Sequence, residues 1–295
     1  MRIITRGDFD GLTSSVLVSV MEGVSEIAFA HPKDMQEGTV NVRKDDIILN
    51  LPYHPDCCMW FDHHLSQEDA ARTAGDFKGM YRVAPSAARV IYDYYNHPNL
   101  KRFEHLVHET DRVDSAQLEM KDVKDPKGWV LISYTIDPRS GFGRFQDYFN
   151  NMINWIKTHT LEEILAIPEV KEKCDHFLDE LVKFGELLKR HSHLDGNVIV
   201  TDFRDLDRTP IGNRFLIYTL FPEGNISFRI FKGKTGDMVA ALGHNIFKRD
   251  CNTDIGTLLS EYGGGGHKGA GTVQVPIGQA DETFRKIIEK LKHQG

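Results

Sequence analysis

Short apolar runs bounded by Gly, Pro and Asp punctuate the first half of this chain. Arg2-Ile3-Ile4-Thr5, Glu26-Ile27-Ala28-Phe29-Ala30, Asp46-Ile47-Ile48-Leu49-Asn50-Leu51 and Met59-Trp60-Phe61 read as buried strands. The third is a continuous apolar run, the pattern of a strand covered on both faces of a parallel sheet. Helical stretches follow or separate them. Leu12–Met21 carries small residues on one face, Ala87–Tyr95 has Ser86 as an N-cap behind Pro85, and Leu100–His108 continues the pattern. Strands that alternate with helices imply βαβ units, hence an α/β fold around a doubly wound parallel sheet.

The period changes in the second half. Trp129–Phe149 has no clear repeat, and Ser140-Gly141-Phe142-Gly143 reads as a turn. From Leu161 to His191 the pattern is helical. Val170, Cys174, Phe177, Leu181, Phe184 and Leu188 recur at three- and four-residue spacing, which predicts a long amphipathic connecting helix. A first domain over residues 1–190 and a smaller α/β domain over 196–295 follow. In the second, Val198–Val200, Ile226–Phe231 and Thr272–Val275 read as strands. Asp237–Gly243, Ile255–Tyr262 and Thr283–His293 read as helices.

Each polar cluster of the first half sits at the carboxyl end of a strand or in a nearby helix, and open α/β sheets hold ligands at those strand ends. Arg6-Gly7-Asp8-Phe9-Asp10-Gly11 puts two carboxylates, i and i+2, at a strand-to-helix turn, where both can aim at one point. Capping a helix needs only one Asp. The third strand ends at Asn50, with Pro52 and Pro55 forcing an irregular loop. The fourth ends at Asp62-His63-His64, a carboxylate and two imidazoles of the kind that suit a divalent metal. Adjacent residues of an extended strand face opposite ways, so the chain must bend if both histidines serve one site. Taken alone, the tripeptide fits an ordinary surface turn equally well. Asp111 and Asp114, at i and i+3, share a helical face if the helix before them continues. In the second half, four glycines before His267 and Lys268 expose backbone N–H groups able to cradle an anion.

Composition narrows the partners. The 295 residues are 40% hydrophobic and 27% charged, as in a soluble globular protein, and the formal net charge is -7. No global basic field exists for long duplex nucleic acid, although a short phosphorylated ligand held by a metal needs none. Four cysteines in a chain this long do not make a disulfide framework. Neither a signal-peptide core nor an apolar run of membrane-spanning length is present, so no membrane partner and a cytoplasmic location are expected.

The ordered set RGDFDG, a strand ending at Asn50, FDHH and HETDRVD resembles the four motifs of the DHH phosphoesterase superfamily. That superfamily includes RecJ-type exonucleases, nanoRNases, phosphoadenosine phosphatases, exopolyphosphatases and family II pyrophosphatases. Tyr262–Gly271, with GGGGHKGAG, resembles the GGGH motif of the DHHA1 domain. The resemblance implies a DHH domain joined by a helical linker to a DHHA1 domain with a mixed sheet. It implies a phosphoesterase with two divalent ions, usually manganese, with magnesium as the alternative. Asp8, Asp10, Asn50, His63 and Asp111 would be the metal ligands. Asp62, His63 and His64 would form the catalytic centre, with Asp62 orienting the imidazoles. Arg6, His64, Asp114, Arg229, Gly264, Gly265, Gly266, His267 and Lys268 would meet the substrate.

Two positions depart from the family pattern. The second motif normally supplies a bridging aspartate, and here Asn50 stands there. The first often has a histidine two or four residues before the paired aspartates, and here Arg6 and Ile4 stand there. Either one metal binds weakly, or Asp114, His54 or Asp56 compensates, or the site works with one ion. The expected substrate is a short nucleotide, either a dinucleotide or a 3′,5′-bisphosphonucleoside, lying in a cleft between the domains. Polyphosphate and a non-catalytic nucleotide sensor are the alternatives, and the chain is a monomer or homodimer. Turns rather than core are expected to present Asp10 and His63, so that replacing either costs activity with little loss of fold.

Overall fold

The computed structural model describes residues 1–136, 138, 145–233 and 236–294. Two compact units divide the chain: Met1–Gln117 with Pro126–Asp175, and Leu118–Asp125 with His176–Gly295. The division falls inside the long helix Pro168–His191, which was read as a connecting helix.

In the first unit five strands form one sheet: β1 (Arg2–Thr5), β2 (Glu26–Phe29), β3 (Asp46–Leu49), β4 (Met59–Asp62) and β5 (Gly79–Tyr81). All pair in parallel, in the order β2-β1-β3-β4-β5. β1, β3 and β4 are buried at every position, as their continuous apolar runs predict. Register is pinned at the amino ends. Arg2 lies opposite Asp46, and its Nε and Nη2 donate to the two carboxylate oxygens at 2.8 and 2.6 Å. A one-residue slip would leave this buried pair unmatched. At the other ends of β1 and β3, Thr5 comes to lie beside Leu49.

Helix Phe9–Met21 starts directly after β1. Asp8 is its N-cap, accepting from the Gly11 N–H at 2.8 Å. Gly11 permits the tight junction, since a Cβ there would fall 2.1 Å from the Arg6 carbonyl oxygen. A buried hydrogen bond of 2.8 Å between Thr13 and Thr110 ties this helix to helix Glu104–Asp114. The expected irregular segment Trp129–Phe149 is largely helical instead, in helices Gly128–Thr135 and Phe145–Thr158. Trp129, Val130, Leu131 and Ile132 are all buried, so the first helix is apolar all round and shows no one-sided period. The expected turn at Ser140–Gly143 lies outside the described residues.

The second unit holds a six-stranded mixed sheet in the order β10-β11-β9-β8-β7-β6. Its strands are β6 (Ser192–Asp195), β7 (Val198–Asp202), β8 (Ile226–Lys232), β9 (Met238–His244), β10 (Gly265–His267) and β11 (Ala270–Val275). β7 and β8 run parallel and the other pairs antiparallel. The helix expected over Asp237–Gly243 is β9. Met238, Ala240 and Leu242 alternate inward, a period of two in a segment of helix-favouring residues, and β8 and β11 pair with it on both sides. Helices Ile255–Ser260 and Ala280–Gln294 pack with Phe228, Ile230 and Val273 in this unit's core.

Gly11→Ala should test the junction that aims Asp8 and Asp10. Its Cβ cannot be accommodated by moving a flexible side chain, so stability should fall by about 1–3 kcal/mol, as for other overpacked sites. Urea denaturation measures this, and a midpoint equal to wild type would show that the strand-to-helix turn is slack.

Candidate active site at the carboxyl end of the parallel sheet

The end of β4 organises the site. Asp62 is fully buried, and its Oδ1 accepts from the His63 N–H and from His64 Nδ1, both at 2.8 Å. The chain bends there, and the two imidazole rings lie 4.2 Å apart between centroids. His63 Nδ1 lies 2.9 Å from the Ala84 carbonyl oxygen. A carbonyl only accepts, so Nδ1 carries the proton and Nε2 is left as a lone pair. His63 is 8% exposed, and its Nε2 has no hydrogen-bond partner. It lies 3.6 Å from Asp10 Oδ2 and 3.4 Å from Asp114 Oδ2.

Asp10 is more embedded than a residue merely presented by a turn. Its two oxygens accept the N–H groups of Ala87 and Ala88, each at 2.8 Å, and so satisfy the first turn of helix Ala87–Tyr95. Burial pushes its carboxyl above the ordinary range. Opposing that, His63 and the two N–H bonds favour the charged form, while Asp8 adds to the rise. Asp8 Oδ1 accepts from Gly11 and, at 3.2 Å, from Asn50 Nδ2, and its Oδ2 forms an ion pair with Arg6 Nε at 3.0 Å. Asn50 is buried, with a left-handed backbone φ of 57° that Asn tolerates better than most residues. Its Oδ1 is buried without a partner.

Asp111 and Asp114 both lie in helix Glu104–Asp114, as the i, i+3 spacing requires, but only Asp114 approaches His63. Asp111 accepts from Ser86 Oγ at 2.7 Å and from Arg89 Nε and Nη2 at 2.9 and 2.7 Å. The fourth-motif carboxylate beside His63 is therefore Asp114, not the expected Asp111. Asp114 stands at the rim, with 27% of its side chain exposed. Crowding by protein raises its carboxyl well above the usual range, and Asp10 and Asp8 add to that. At His64, burial alone would lower the imidazole pKa, but the Asp62 hydrogen bond and charge, with Asp114, outweigh it and the net shift is upward. His54 and Asp56, candidates for compensation, contact each other: the Asp56 N–H donates to His54 Nδ1 at 3.2 Å.

The expected substrate residues of the second unit occupy two settings. Arg229 sits on β8 between Thr201 and Ala241, with its guanidinium 5.8 Å over the Phe184 ring. Among the described residues no carboxylate pairs with it. Burial lowers its pKa, and only Tyr218 offsets this. The glycine run is less a free cradle than a hairpin strand. Gly263 and Gly264 donate to the carbonyls of Ser260 and Leu259, ending helix Ile255–Ser260, and Gly265, Gly266 and His267 pair with Thr272, Gly271 and Ala270. A Cβ on Gly264 would fall 2.6 Å from Thr272 O, and one on Gly266 2.3 Å from Ala270 O. Those glycines are demanded by packing, whereas Gly265 faces open space. His267 and Lys268 are exposed at the hairpin end, and the Gly269 N–H donates to His267 Nδ1 at 3.2 Å.

No protein-family model matches the sequence, and no curated protein matches it. Solved structures do. The DHH domain of a member of a family of ribosomal proteins shares the fold at 14% identity and a TM-score of 0.64, covering 99% of this chain and 86% of that one. Exonuclease RecJ bound to manganese does so at 12% identity and a TM-score of 0.53, covering 100% and 90%. The fold is that of the DHH class of proteins. A pGpG-specific phosphodiesterase, PggH from Vibrio cholerae, is 34% identical to this chain with a TM-score of 0.88, covering 100% of this chain and 99% of that one. The chain belongs to the DHH/DHHA1 phosphoesterase superfamily and is a phosphoester hydrolase.

Asp10 and Asp114 should separate under mutation in metal-free buffer. Asp10→Ala leaves two buried N–H groups unsatisfied and should cost about 1–3 kcal/mol of stability. Asp114, which makes no hydrogen bond to a described residue, should stay within about 0.5 kcal/mol of wild type when changed to Ala. Urea denaturation in the presence of EDTA measures both, and equal losses would contradict the distinct settings given to the two carboxylates.

Proposed function

We propose that this chain hydrolyses a short linear dinucleotide of the pGpG kind, using a divalent metal at the His63 site. The observation that carries the substrate class is the end-to-end likeness, across both units, to a phosphodiesterase specific for pGpG. The metal reading rests on the donor set. His63 Nε2 and Asn50 Oδ1 are buried without partners, and Asp10, His63 and Asp114 offer ligand atoms within 4.8 Å of one another. Asp10, His63 and Asp114 would hold the ion. Imidazole with carboxylate suits manganese, the ion named with the RecJ neighbours. When bound, such an ion polarises a phosphoryl oxygen and acidifies a water at neutral pH.

The remaining chemistry belongs to the chain. Asp62 Oδ1 fixes the His64 imidazole and the His63 backbone N–H, and the Ala84 carbonyl fixes the His63 imidazole. His64 places its Nδ1 on Asp62, and the net upward shift of its pKa favours the protonated ring, whose Nε2–H can serve a departing oxygen. In the second unit the half-buried Arg229, which pairs with no carboxylate among the described residues, and the exposed His267 and Lys268 offer donors for a phosphate.

A substrate panel tests the proposal: pGpG, other dinucleotides, longer RNA, 3′,5′-bisphosphonucleoside and polyphosphate, each with Mn²⁺ and Mg²⁺. Turnover should be highest on a dinucleotide and absent in EDTA. Faster cleavage of polyphosphate or long RNA would overturn the substrate class. Arg229→Ala and His267→Ala should each lose about 1.5–3 kcal/mol on the dinucleotide, roughly ten- to a hundredfold in kcat/KM. Hydrolysis of bis(p-nitrophenyl) phosphate should change far less. Equal losses on both substrates would assign these residues to folding instead.

A further inference from the structure

We infer that the site takes one divalent ion, and that the Arg6 guanidinium stands in place of a second. This rests on the metal reading above and departs from the two ions that the family resemblance implies. Five carboxylates gather at this end of the sheet: Asp8, Asp10, Asp62, Asp111 and Asp114. Three already have a partner from the chain. Arg89 grips Asp111 through two nitrogens, the His64 imidazole bonds Asp62, and Arg6 pairs with Asp8. Among the described residues no Lys or Arg forms an ion pair with Asp10 or Asp114; the side chain between them is the His63 imidazole, and Arg6 and His64 act on Asp114 only from beyond ion-pair distance. His63 presents them a lone pair that is more than nine-tenths buried and has no hydrogen bond. Two negative charges around one unshared pair match one divalent cation.

A second ion would need Asp8, and Asp8 is occupied. Its Oδ1 accepts from Gly11 and from the amide of Asn50, and its Oδ2 faces Arg6. Asn50 turns its Nδ2 toward Asp8 because a carboxylate can only accept, so the positive end of the amide dipole points where a bridging carboxylate would have to face a cation. Arg6 and Asn50 therefore act together. One supplies a fixed positive charge, and the other supplies the hydrogen bond that a carboxylate beside Asp8 could not make without repulsion. Among the described residues none accepts a hydrogen bond from the Arg6 guanidinium, which leaves its Nη groups to a phosphate oxygen.

Metal counting on the full-length protein decides the matter without reference to turnover. The apo chain is titrated with Mn²⁺ by calorimetry, and the saturated protein is examined by electron paramagnetic resonance. The wild type should bind one Mn²⁺ per chain and give the spectrum of an isolated ion. The Arg6→Ala/Asn50→Asp double variant, with its fold checked by circular dichroism, should bind two and give a spin-coupled spectrum. Two ions in the wild type would overturn the inference. A folded double variant that still binds one would remove Arg6 and Asn50 as the cause. No ion in the wild type would contradict the metal reading itself and the inference with it. A wrong substrate class would leave every one of these counts unchanged.

Discussion

A buried lone pair held between two carboxylates is the constraint on which this site depends. His63 Nε2 faces Asp10 and Asp114 because the Ala84 carbonyl accepts a hydrogen bond from the protonated Nδ1. Without a cation the arrangement is repulsive, and burial makes it more so, because low dielectric weakens the screening between like charges. Protein interiors seldom keep such a cluster unless a ligand repays it. Asp62 repeats the theme one residue earlier, with one oxygen fixing two groups and the other buried without a partner.

The rest of the first unit serves to hold those atoms together. The Arg2–Asp46 pair fixes register at one end of β1 and β3, and the polar residues emerge at the other. Gly11 lets helix Phe9–Met21 begin against the end of β1, which brings Asp8 and Asp10, two residues apart, to the site. Asp10 then plugs the amino end of helix Ala87–Tyr95, so the same carboxylate that faces His63 also anchors a helix. Function and stability are coupled there, whereas at Asp114, on a half-open helix end, they are separable.

Much of this was legible in the sequence, and what was not has physical reasons. Four strands, both aspartates of the first turn and the helix after Ser86 could be read from apolar runs and caps, whereas a bend at Asp62-His63-His64 was required only if both histidines serve one site. The Asp111/Asp114 choice could not, because helical spacing puts both on one face and only tertiary structure shows Arg89 and Ser86 claiming the first. Helix Gly128–Thr135 was hidden because it is apolar all round, and β9 because alanines and leucine blur a period of two. The glycine run read as an open loop, but its neighbours across the hairpin, Thr272 and Ala270, leave no room for a Cβ at Gly264 or Gly266. Spacing within a motif says which residues are near in sequence, and charge pairing across the fold decides which of them are free to act.

If the unshared pair on His63 is a cation site, divalent metal must stabilise the folded chain through that residue. The direct measurement is the melting temperature of the wild type and of His63→Ala in EDTA and in excess Mn²⁺. Binding at about a hundredfold above Kd contributes roughly 2.7 kcal/mol, enough to raise Tm by several degrees in the wild type. The variant should show little or no rise. A wild-type Tm that does not respond to Mn²⁺, or a rise of equal size in His63→Ala, would contradict the account.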